Sequence, residues 1–141
     1  TNDAASAVTR LRDFGVDPFL LAATLRSVVA QRLVRRLCPQ CRMQGPADAA
    51  TCAALGLDAG TPVWHAPGCT ACGHSGWQGR IGLYDMLVMD DALATAINAG
   101  ASAAELAAGR PGLLGAARAA VIAGLTSPAE ALRVIGGDEG P

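Results

Sequence analysis

The sequence predicts an α+β fold, mostly helical, in which a small four-cysteine lobe with short strands is flanked by helical segments. Three observations carry that expectation. Two Cys-x-x-Cys pairs, Cys38-Pro39-Gln40-Cys41 and Cys69-Thr70-Ala71-Cys72, supply the lobe. A chain of 141 residues that is 51% hydrophobic but only 4% aromatic must build its core from Ala, Leu and Val, which favours helices over a β-sandwich. Helix start and stop signals recur on both sides of the cysteines.

Taken in order, Asn2 or Asp3 caps a first helix with Ala4, Val8 and Leu11 on one face and Gly15 as its stop. Asp17-Pro18 restarts the chain, and Leu21, Leu25, Val28 and Val29 continue at helical spacing, predicting a second helix to about Arg32. The stretch 42–68 between the cysteine pairs is long enough for structure of its own. It is expected to hold a short helix over 48–55 ended by Gly56, and a strand at Val63-Trp64. Gly79 to Val88 is the best strand, with Ile81 and Leu83 on one face, Tyr84, Met86 and Val88 on the other, and both faces apolar enough to be partly covered. Four short helices then follow. Asp90 or Asp91 caps the first, with Leu93 and Ile97 before Gly100; Ser102 and Glu105 form a capping box for the second. Leu114, Ala117 and Val121 mark the third, and Ser127, Pro128 and Glu130 open the last, carrying Leu132 and Ile135. The tail 138–141 is expected to fray.

Each cysteine pair lets one tight turn aim two sulfurs at a point, and two such turns make the thiolate tetrahedron of a structural zinc site, with Cys38, Cys41, Cys69 and Cys72 as ligands. Two other readings are four unrelated reduced thiols and redox-active pairs. A redox motif normally starts a helix after a strand, whereas Cys69 to Cys72 lies between Pro67-Gly68 and Gly73. His65 and His74 flank the second pair closely enough to replace a sulfur, although four cysteines already complete the set. Cys52 has no partner at the same spacing and reads as a small buried hydrophobe.

The net charge is −1, every basic residue is arginine, and no lysine is present. A phosphate-binding P-loop needs its lysine, so this chain is not by itself a Walker-type ATPase. The charge and the shortage of aromatics also argue against an independent zinc-ribbon module with its arginines on nucleic-acid phosphates. No apolar run spans a membrane and no signal peptide opens the chain, which points to a reducing, cytoplasmic setting. The opening at Thr1-Asn2-Asp3, without methionine, suggests a piece of something longer. Arg32, Arg35 and Arg36 cluster before the first pair. They read either as cations at a helix C-terminus or as a basic surface for an anionic partner.

Several ordered stretches together resemble one family. They are Thr1-Asn2-Asp3-Ala4, Val8-Thr9-Arg10-Leu11-Arg12-Asp13, the run Ala30 to Cys38, Gly79-Arg80-Ile81-Gly82-Leu83-Tyr84-Asp85, and Gly124-Leu125-Thr126. The chain is similar to the C-terminal part of the traffic ATPases of type II protein secretion and type IV pilus assembly, with the type II secretion branch nearer. The family usually has glutamate where this chain has Asp85. The resemblance implies a fragment of a hexameric motor whose ATP and magnesium site lies before Thr1. Residues 1–37 would be the helical end of the RecA-like core, 38–80 the tetracysteine zinc lobe, and 81–137 a strand with the C-terminal helical domain. It also implies contact with neighbouring subunits and with inner-membrane platform proteins at the cytoplasmic face of the bacterial inner membrane. Arg32, Arg35 and Arg36 would then contact a subunit or nucleotide.

Overall fold

Asp3 starts the first helix, its carboxylate accepting the Ser6 N–H at 2.7 Å. The computed structural model describes residues 3–136, so Asn2 as an alternative cap and the tail 138–141 lie outside the described residues. The helix α1 (Ala4–Asp13) is followed by α2 (Pro18–Thr24), which Asp17 caps through the Phe19 N–H.

There the chain departs from the helical reading. The second helix ends at Thr24, and Ser27–Leu37 form strand β1, so Arg32, Arg35 and Arg36 lie on a strand and not at a helix end. Leu21, Leu25, Val28 and Val29 satisfy helical spacing, but Val28, Val29 and Val34 are β-branched, and exposure alternates along 27–34 with period two. Pairing with the later strand β4 (Trp77–Val88) decides the conformation.

The lobe contains β2 (Met43–Pro46), α3 (Ala49–Leu55) and β3 (Pro62–His65). Strands β2 and β3 pair antiparallel, with Met43 opposite His65 and Gly45 opposite Val63. Asp48 caps α3 through the Thr51 N–H, and Gly56 closes it in the left-handed conformation. After β4 come α4 (Asp91–Asn98), α5 (Ala103–Ala107), α6 (Gly112–Ile122) and α7 (Pro128–Ile135). With seven helices and four strands among the described residues, the fold is α+β and mostly helical.

Two compact units share the chain. The first comprises residues up to Gln31 with Tyr84–Gly112. Its core is Ala4, Ala5 and Val8 of α1, Leu21 of α2, Leu87 of β4, Leu93 and Ile97 of α4, and Leu106 of α5. Asp85, two residues before Leu87 on β4, is also buried, and its Oδ2 accepts the Ala4 N–H at 2.8 Å. Tyr84, Met86 and Val88, expected to be partly covered, are each more than half exposed.

The second unit comprises Arg32–Leu83 with the chain from Leu113 onward. Val34, Leu55, Leu83, Ala117, Ala120, Val121 and Ala131 form its core. The buried stripe of α6 is therefore Ala117, Ala120 and Val121, and Leu114 sits 41% exposed instead of inside. Small alanines let α6 and α7 pack closely against the strands, and each fully buried Leu or Val contributes about 1.5–3 kcal/mol. Arg118 ties α6 to α3, donating from Nε to Leu55 O at 2.6 Å.

Candidate metal centre

Strand β1 delivers the first cysteine into position. Leu37 N–H bonds Leu125 O, and the buried Cys38 donates its own N–H to Gly76 O, both at 2.9 Å. The chain then reverses, with Arg42 N–H reaching back to Cys38 O at 3.1 Å before β2 begins. The second pair lies on a short 3-10 turn, Thr70–Cys72. Cys72 and His74 both donate to Cys69 O, at 3.3 and 2.7 Å, so each pair is folded into a single tight turn.

Two glycines make the second turn possible. Gly68 has φ +102, and a Cβ there would run into the backbone carbonyl of His74. Gly76 has φ +80, and a Cβ there would stand 2.5 Å from Ala66 O.

The outcome is a four-sulfur cluster. The Sγ atoms of Cys38, Cys41, Cys69 and Cys72 all lie within 4.8 Å of one another, and all four are free thiols. Cys38 is 3.9 Å from Cys69, Cys41 is 4.0 Å from Cys72, and Cys69 is 3.8 Å from Cys72. Such a set can hold a metal ion and fits a zinc lobe. Backbone N–H groups of Cys69 and Gly76 each point at Cys72 Sγ from 3.2 Å. The Cys69 bond, with Gly76 assisting against burial, draws the Cys72 thiol down to about 6. Burial pushes the Cys41 thiol up to about 12, against a Gly68 backbone hydrogen bond and with the neighbouring sulfurs adding to the rise. Four sulfurs this close do not all ionise by themselves, and a cation among them removes the conflict.

His65 and His74 are exposed and lie outside this group. Cys52 differs from the expected buried hydrophobe: it is only half-buried on α3, with its thiol donating to Asp58 O at 3.3 Å.

The arginines of β1 have separate environments. Arg32 is half-buried and Arg36 exposed. Arg35 Nη2 meets Glu130 Oε2 at 2.8 Å, its backbone N–H meets Oε1 at 3.0 Å, and its guanidinium lies 4.3 Å from the centre of the Trp77 ring. Arg133 adds two more bonds to the same carboxylate, from Nε at 3.1 Å and Nη2 at 3.0 Å. Ser127 still caps α7 through the Glu130 N–H, but these arginines have taken the Glu130 carboxylate that the capping signal would turn back on the helix end. Burial opposes ionisation of Glu130, yet Arg35 and Arg133 outweigh it and hold the carboxyl down at about 2. The Arg35 guanidinium is raised in turn, chiefly by that hydrogen bond. Arg42, beside Cys41, lies 4.6 Å over the Trp64 ring and donates to Gly124 O at 2.6 Å. Sequence reading misses Trp64, Trp77, Glu130 and Arg133 as partners: Arg35 and Glu130 are 95 positions apart, whereas Arg133 lies at i+3 from Glu130 on α7, a helical spacing that could have shown that pair.

Residues 1–133 match the family model described as Type II/IV secretion system protein. The chain is 44% identical over 138 residues to "Type II secretion system protein E" of Klebsiella pneumoniae, covering 95% of this chain and 28% of that protein. It is 41% identical over 140 residues to "Type II secretion system ATPase E" of Vibrio cholerae, with the same coverage. Against "Type IV pilus assembly ATPase PilB" of Thermus thermophilus it is 44% identical over 110 residues, 75% of this chain and 12% of that protein. The chain thus spans less than a third of the length of these curated relatives.

Proposed function

We infer, from the premise that this chain belongs to the Type II/IV secretion system protein family, that it is the zinc-binding part of a secretion ATPase. It acts as a structural and interaction element, while the full protein hydrolyses ATP elsewhere to drive pseudopilus assembly and type II secretion. The observation carrying this reading is the cluster of four sulfurs within 4.8 Å. A tetrahedron with Zn–S bonds of about 2.3 Å has sulfur–sulfur edges of about 3.8 Å, and the three close pairs lie at 3.8 to 4.0 Å. All-thiolate ligation selects a soft, tetrahedral ion, which favours zinc over magnesium or calcium. When bound, the dication would offset half of the charge of four thiolates and clamp the two turns together. The protein contributes the remaining order: the Cys38–Gly76 backbone bond ties the two cysteine turns together, and the Arg42–Gly124 bond holds the lobe to the rest of its own unit.

Nucleotide chemistry belongs to the rest of such a protein, since this chain has no lysine for a P-loop. Neighbouring subunits of a hexamer and inner-membrane platform proteins are the partners in this reading, at the cytoplasmic face of the membrane. No described helix is long and apolar enough to cross one. Arg32, Arg35 and Arg36 form part of the surface offered to a subunit or nucleotide. The pilus-assembly reading ranks second because its relative covers a smaller share of the chain.

The test pairs metal analysis with secretion. Native mass spectrometry of the chain should give one zinc, removed by chelator. In a full-length protein carrying this sequence, single Cys→Ser changes at Cys38, Cys41, Cys69 and Cys72 should remove zinc and abolish secretion. Normal secretion by a zinc-free variant would rule out the metal lobe as a working part.

A further inference from the structure

The second unit carries a groove of about 530 Å³ that the metal site does not use, lined by Leu33 and Arg35 of β1, Trp77 and Arg80 of β4, and Glu130 and Arg133 of α7. We propose that this groove docks an acidic peptide segment of a partner protein, with carboxylates on the arginines and an apolar residue against Leu33 and Trp77. The inference goes beyond the metal reading and stands without it, since no cysteine lines the groove.

Charge is the first argument. Three arginines against one carboxylate leave the groove clearly positive on a chain whose net charge is −1. The Glu130 carboxylate cannot itself satisfy a ligand, because its side chain is 1% exposed and already accepts from Arg35 and Arg133. What it does is fix them. Both guanidiniums are held by charge-assisted bonds to that buried carboxylate, while the Arg35 and Arg133 side chains as a whole remain 48% and 53% exposed. Trp77 adds to the lock by lying under Arg35 at 4.3 Å. A planar fork already held in place loses little freedom on meeting a carboxylate, which is the condition for useful affinity from an otherwise exposed cation.

The apolar component selects the class of ligand. Leu33 is 50% exposed within the same groove as the Trp77 ring, and the walls come from two strands and a helix. A free phosphate would use the arginines and leave this strip wet. An extended chain alternating acidic and apolar side chains would use both, and acidic side chains on the partner match the positive wall.

The experiment measures binding of the chain to a short fluorescent peptide of alternating Glu and Leu by anisotropy at low salt. Its Gln/Leu counterpart, inorganic phosphate and ATP serve as further probes. The proposal expects the Glu/Leu peptide to bind, the Gln/Leu peptide to bind roughly tenfold more weakly or worse, and Arg80→Glu to weaken binding roughly tenfold while helicity and metal content stay unchanged. Arg80→Gln should give a smaller loss in the same direction, and Arg10→Ala, in the other unit, no loss. Equal binding of the two peptides, no binding of either, or indifference to both Arg80 changes would overturn it. So would phosphate or ATP binding that depends on Arg80 and fully displaces the peptide, for the groove would then be a phosphate site.

Discussion

Arg35 and Glu130, 95 positions apart, are joined twice: the backbone N–H of Arg35 and its guanidinium both bond the one carboxylate, at 3.0 and 2.8 Å. A strand next to the first cysteine is thereby fastened to the last helix. The residue after Arg35 continues towards Leu37 and Cys38, so the ion pair sits one short step from the sulfur cluster along the chain.

This contact should be visible in acid. The Glu130 carboxyl, held at about 2 when folded, lies below its ordinary value of 4.5. Its stabilisation is therefore complete above about pH 4.5 and disappears as pH falls through about 2. The arginines are half exposed, so solvent screening reduces the contribution to about 2 kcal/mol. Glu130→Gln should lower stability by that amount at pH 7 and flatten the loss between pH 4.5 and 2, as read by urea denaturation across the range. An identical acid profile in parent and variant would refute the linkage.

Local chemistry explains what was legible beforehand. Asp48 and Gly56 delimit α3 as their residue types predict, Ser102 and Glu105 form their capping box, and the four cysteines converge. Each of these signals acts within a few residues. The sequence is silent where distant partners decide. Leu21 to Val29 fit a helix, and only pairing with β4 shows that the chain is extended from Ser27. Glu130 carries a capping-box signal, yet two arginines outbid the helix end for its oxygens.

Removing a thiolate should release the metal. In small zinc domains the ion contributes folding free energy on the order of 10 kcal/mol, so each single Cys→Ser change at Cys38, Cys41, Cys69 or Cys72 should leave β2, β3 and the second turn unprotected. The α6 and α7 core, built from Ala117, Ala120, Val121 and Ala131, should persist. Hydrogen exchange by mass spectrometry, with metal content measured alongside, separates the two regions. Unchanged protection and full metal occupancy in all four variants would refute the ligand set.

The second turn should tolerate side chains unequally. Gly68→Ala and Gly76→Ala both place a Cβ against a backbone carbonyl at positive φ, and relieving that overlap means moving the turn that carries Cys69 and Cys72. A cost of about 2–4 kcal/mol and at least tenfold weaker zinc binding should follow. Gly73→Ala is the control, since its φ is +61 but nothing lies within 4 Å, leaving a cost nearer 1 kcal/mol. Competition with a chromogenic chelator ranks the three. Equal affinities would mean the turn is softer than its contacts imply.

Asp85 gives the last expectation, in the unit without the metal. Its side chain is buried, and its Oδ2 accepts the Ala4 N–H, one of the donors that the first turn of α1 leaves without a helical partner. Negative charge at a helix N-terminus is favourable, and a buried N–H left unpaired costs about 1–3 kcal/mol. Asp85→Ala should therefore destabilise this unit by about 2 kcal/mol and raise exchange along α1, whereas Asp85→Asn, which keeps an acceptor oxygen but loses the charge, should cost about 1 kcal/mol. Asp85→Glu adds a methylene at a buried position whose carboxylate already meets the Ala4 N–H at 2.8 Å, so it should cost more than Asn. Thermal and urea denaturation of the three variants, with exchange at Ala4 to Val8, tests the ranking. If Asp85→Ala matches the parent in both stability and α1 protection, the hydrogen bond contributes nothing and α1 is held by its apolar face alone.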